Sequence, residues 1–166
     1  GYVVWSDQKH YPALLVLYTC GVLSLSVQKF QHLANLLMAP RIQTNSGGDV
    51  NVLASINPIS VFSHDSQKWM PRPNAEREYT PAHNHISEFI HGKLKSYFTG
   101  DQHFERTYDV FEYLVGLTYL DTVERNSSYV WAPVGRFQWK HEYRFDEKHA
   151  INQFLNDNLR LLKNPV

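Results

Sequence analysis

Apolar residues recur at helical spacing in several stretches of the chain, and most of these stretches end on a residue that breaks helix. Tyr11 to Gln28 runs eighteen residues without a charge, and Phe30, Leu33, Leu36 and Leu37 follow after a break at Val27-Gln28-Lys29. This pattern predicts a helical hairpin from about Pro12 to Met38, stopped by Pro40. Thr80-Pro81 reads as a helix start, with Thr80 at the N-cap and Pro81 in the first turn. Ile86, Phe89, Ile90, Leu94, Tyr97 and Phe98 then share one face before Gly100. Asp101 reads as the cap of a further helix whose stripe is Phe104, Tyr108, Phe111, Leu114, Val115, Thr118 and Tyr119, running to about Glu124. A last helix is predicted from about Asp146 to Leu162, with Ala150, Ile151, Phe154, Leu155, Leu159 and Leu162 inward.

Between these helices the period changes. Asn45-Ser46-Gly47-Gly48-Asp49 is a loop signal, after which Val50, Val52, Ala54 and Ile56 alternate as in a short strand at 50–56. Ile59, Val61 and Phe62 read as a second extended segment. Pro71-Arg72-Pro73-Asn74 marks a subdomain hinge at 71–74, and 129–143 reads as extended chain. The fold class expected is mainly α with a minor β component: helical hairpins around one core, with short strands near 50–56 and 129–143. Residues 1–166 fit a single domain, and the start at Gly1 without an initiator Met suggests one excised from a larger protein.

Within the first hairpin, Leu17-Tyr18, Gly21, Leu23, Phe30, Ala34 and Leu37 alternate small and large side chains. The arrangement resembles one tetratricopeptide-type hairpin, in which a glycine permits close helix approach while Phe30 and Ala34 fill the facing groove. No second copy follows at a period near 34, so the resemblance implies a packing mode and not an array. One such unit cannot bury its own face, and Leu15, Tyr18, Val22 and Phe30 are the residues expected to meet a protein partner or the remainder of the parent chain. The texture from the hairpin through Trp139 also resembles accessory helical regions of large prokaryotic multidomain proteins, those of nucleotide sensing or anti-phage defence among them. That likeness transfers no catalytic residue.

Charge changes the picture in one respect. Sixteen basic residues balance sixteen acidic ones, so no global basic field draws nucleic acid. Only Asp7, Lys9, Lys29, Arg41, Asp49, Asp65 and Lys68 fall among the first seventy residues. The front of the chain is therefore the part that wants covering. The uncharged run approaches a membrane-spanning length, but Pro12, Thr19, Ser24, Ser26 and Gln28 favour burial against protein. Neither membrane nor nucleic acid is expected as a partner, a homodimer is one expected assembly, and the absence of a signal-peptide pattern points to the cytoplasm. The sequon Asn126-Ser127-Ser128 carries no weight there.

Candidate chemistry is sparse. A single cysteine, Cys20, lies in the apolar run, where a buried inert thiol is expected. His83, His85, Glu88 and His91 bring metal-ligand types to one helix, yet i, i+3, i+6 spacing spreads them over its surface. They read as a polar face of exposed histidines. His64-Asp65 admits a metal-dependent phosphohydrolase, with His83, His85 and Glu88 as further ligands, but the dipeptide lies in a segment read as extended. Arg136, Phe137, Trp139 and Lys140 form an aromatic and basic strand that would suit single-stranded nucleic acid if its rings were exposed. The preferred expectation is a non-catalytic helical interaction or regulatory domain that uses no cofactor and has no catalytic or metal residue of its own.

Overall fold

The computed structural model describes residues 8–44, 47–62, 64–67, 70, 80–122, 132–133 and 135. It is mainly helical with one small antiparallel sheet. Helix α1 spans Tyr11–Ser26 and α2 spans Phe30–Met38; strands β1 (Arg41–Gln43) and β2 (Asp49–Asn51) follow. Short helices α3 (Pro58–Val61) and α4 (His64–Gln67) precede two long ones, α5 (Pro81–Leu94) and α6 (Asp101–Thr122).

Pro12 sits in the first turn of α1, where a missing amide costs nothing. The helix ends in a Schellman closure: the Gln28 amide donates to the Leu25 carbonyl and the Lys29 amide to that of Ser24. Gln28 takes the left-handed conformation this closure requires, at φ 56°. The expected hairpin break is thus an ordered turn, made without glycine.

Strand β1 pairs with β2 in the register Arg41↔Asn51, Ile42↔Val50 and Gln43↔Asp49. The alternation expected to carry a strand over 50–56 yields one only as far as Asn51. Buried Asn51 accepts from the Leu53 amide and donates to the Leu37 carbonyl, turning the chain into a 3-10 turn at Val52–Ala54. Ile59, Val61 and Phe62 do not form the extended segment expected of them. Asn57 accepts from the Ser60 amide as an N-cap and Pro58 opens α3, so the chain makes a helical turn. His64-Asp65 likewise lies in helical backbone, in α4, rather than in extended chain.

Thr80 and Pro81 begin α5 as expected, but the Thr80 side chain makes no capping bond. Ile86, Ile90, Leu94 and Phe98 are buried; Phe89 and Tyr97, expected on the same face, are exposed, Tyr97 at 70%. A 3-10 turn at Lys95–Tyr97 rotates the face before Gly100, at φ 144°, ends the segment. Asp101 is the first residue of α6 and not its cap.

Helix α1 packs against α2, α5 and α6, with a further contact to α3, which makes it the central helix. Its inner face contributes Leu14, Leu17, Tyr18, Val22 and Leu25 to one continuous core with Leu33, Leu37, Ile86, Ile90, Phe104, Tyr108, Phe111 and Val115. At Gly21 α1 lies close against α6: a β-carbon there would collide with the Phe111 ring. The glycine read as a close-approach residue therefore faces α6 and not the hairpin partner α2. Tyr18 stands edge-on to Phe111 with centroids 5.1 Å apart. No helix of the described residues is long and apolar enough to cross a membrane. The extended segment at 129–143, the hinge at 71–74 and the helix from Asp146 lie outside the described residues, apart from Ala132, Pro133 and Gly135.

Candidate functional site

Two features stand out once the helices are assembled: a polar cluster inside the core, and an apolar face outside it. The cluster forms because α6 carries Glu112 on its buried side, opposite His83 in the first turns of α5. His83 Nδ1 lies 2.5 Å from Glu112 Oε1, with both side chains almost wholly buried. The Tyr108 hydroxyl donates to the His83 carbonyl at a long 3.5 Å. Tyr18 reaches the same region from α1, and burial, with the Glu112 charge as a second cause, holds its phenol well above its ordinary pKa. Among the described residues neither the Tyr18 hydroxyl nor His83 Nε2 finds a hydrogen-bond partner.

A histidine oriented by a carboxylate is the arrangement a general base uses. Here the other ring nitrogen faces protein: a β-carbon on Gly135 would collide with the His83 ring at Cδ2 and Nε2. Only glycine lets that backbone lie so close. With the ring sealed by Gly135 and the carboxylate buried, the pair joins α5 to α6 as an internal cross-brace.

The other two histidines of α5 are tied to different partners. His85 Nε2 lies 3.0 Å from the Tyr11 hydroxyl, and both rings gather with Phe62 where α1, α3 and α5 meet. His91 Nε2 lies 3.0 Å from Asp101 Oδ1, across the turn from α5 to α6. Glu88 is exposed. His83, His85 and Glu88 therefore do not converge, and the expected face of exposed histidines is replaced by one buried and two half-buried rings. Among the described residues no group of three His, Cys, Asp or Glu is placed to hold a metal ion. The side chains of His64 and Asp65 lie outside the described set, as do Arg136, Phe137, Trp139 and Lys140.

Of the residues expected to meet a partner, Tyr18 and Val22 are fully buried in the chain's own core, and Leu15 and Phe30 are half-buried against it. The hairpin face that sequence reasoning left open is covered by α5 and α6. The open face is the opposite side of α1. Ala13, Val16, Cys20, Leu23 and Val27 follow one another at steps of 3, 4, 3 and 4, which keeps them on one line of the helix surface. Val16 is 60% and Val27 62% exposed, Ala13 and Cys20 are exposed, and Leu23 is half-buried. Cys20 is thus not the buried thiol expected. The sequence does not show which side of this helix is exposed, because an apolar residue sits at almost every position and the helical period cannot say which face turns inward.

Comparison with family models, characterised proteins and solved structures gives no match to this chain.

Proposed function

We propose that this chain is a non-catalytic interaction domain that docks its partner along the outer face of α1. The observation that carries the reading is a central helix that is apolar on both sides and covered on one. Helices that are hydrophobic all round are found buried, whereas this one leaves Ala13, Val16, Cys20 and Val27 exposed and no charge anywhere between Lys9 and Lys29. Exposed contiguous apolar surface of this kind marks interaction sites. The buried His83–Glu112 pair supports the same reading from the other side, since these polar side chains are sealed in the core rather than presented.

The test compares the wild-type protein with a Val16→Glu, Val27→Glu double variant as bait for partners from the source cell. The variant should keep the wild-type circular dichroism and melting temperature and lose the captured partners. An unchanged set of partners on a folded double variant would remove α1 as the docking face.

A further inference from the structure

We infer that Gly135 is a releasable cover over His83, and that lifting it presents an imidazole, fixed by a carboxylate, whose free Nε2 takes a small hydrogen-bond donor, a hydroxyl or an N–H group. The site shares no residue with the outer face of α1. Glu112 decides what His83 offers. A carboxylate only accepts hydrogen bonds, so the proton between the two side chains sits on His83 Nδ1 and leaves Nε2 as a bare acceptor. The Tyr108 hydroxyl, donating to the His83 carbonyl, holds the same turn of α5 against α6. Both members of the pair are almost wholly buried, so their orientation is set before any ligand arrives.

The cover itself leaves that acceptor unsatisfied. Nε2 is buried and has no hydrogen-bond partner among the described residues. A buried acceptor that makes no bond retains the cost of leaving water. A position built only to brace the core would place a donor side chain there; Gly135 places bare backbone against Cδ2 and Nε2, so close that a β-carbon would collide with the ring. The cover is also thin. Pro133 is buried, whereas Gly135 is half-buried, so its backbone touches the imidazole on one side and solvent on the other. Each time Gly135 lifts, Nε2 regains the bond that closure withholds, from water or from a donor ligand. A ligand that binds only this open form draws the population toward it.

The experiment follows His83 in the full chain with diethyl pyrocarbonate, which acylates an unprotonated imidazole nitrogen, and reads the modified peptide by mass spectrometry. Exposed His103 serves as the internal reference, and amide hydrogen exchange of α6 reports global opening. In the wild type, His83 should be modified more slowly than His103 but faster than α6 opens, at a rate that urea below the unfolding transition hardly changes. Gly135→Ala, whose methyl cannot lie against the ring, should raise the His83 rate about ten-fold or more, the scale of an overpacked contact, and leave α6 exchange as it was. Wild-type His83 that is modified only as fast as α6 opens overturns the inference, as does a folded Gly135→Ala protein with an unchanged His83 rate. If Gly135→Ala does not fold, the wild-type comparison with α6 decides alone.

Discussion

Tyr18 shows how much of this fold is settled by single buried polar atoms. Its ring anchors α1 against Tyr108 and Phe111, while its hydroxyl lies in the core beside Glu112 without a partner among the described residues. A buried hydroxyl that makes no bond retains the cost of leaving water. Tyr18→Phe keeps the ring and removes that cost, so the variant should be as stable as wild type or more stable by about 1 kcal/mol in urea denaturation. The same residue sets an alkaline limit. Its phenol is held above the ordinary value near 10 when folded, so above pH 10 the unfolded chain has released a proton that the folded chain retains. Stability is then fully present below pH 10 and falls as pH rises, by at most about 1.4 kcal/mol per pH unit for this group. Tyr18→Phe should flatten that decline; an equally steep decline in the variant would place its origin elsewhere.

Asn51 and Asn57 act at the same scale by turning the chain. Each is buried, and each uses its side-chain amide to satisfy two backbone groups, so a stretch patterned as strand becomes a 3-10 turn and then α3. Alternation at Val50, Val52, Ala54 and Ile56 was visible in the sequence. The cue against it is Asn57-Pro58, which carries the same N-cap and first-turn proline logic as Thr80-Pro81.

Among the elements, the long helices were legible because their stripes are long and their ends are marked: Pro12, Pro40, Thr80-Pro81 and Gly100 all lie where elements begin or end. Which elements pair was not legible. Gly21 was recognised as a place of close approach, yet its partner is Phe111, ninety residues away, and local periodicity carries no information about so distant a neighbour. Gly21→Ala should drive a methyl into that ring and cost about 1–3 kcal/mol, read as a lower denaturation midpoint. Combining it with Phe111→Leu, which opens space at the contact, should cost less than the sum of the two single changes. Strict additivity would mean that α1 and α6 do not meet there. The His83–Glu112 pair was illegible for the same reason: His83 was seen beside His85 and Glu88 on its own helix, and the carboxylate that fixes it lies on another.

At the scale of the whole molecule, the low charge of the first seventy residues is resolved into two surfaces. One is the inner face of α1, which α2, α5 and α6 cover; the other is the stripe from Ala13 to Val27, exposed at Ala13, Val16, Cys20 and Val27 and half-buried at Leu23. Sequence composition registers their sum, and only the packing of α1 separates them. Cys20 reports on that separation directly, since a cysteine on the inner face would be sealed in the core and one on the stripe meets water. The decisive measurement is the rate at which Cys20 reacts with Ellman's reagent in the native protein. Rapid modification of the native protein, without waiting on unfolding, is the expected result. Modification that waits on global unfolding would contradict it and return the outer face of α1 to the core.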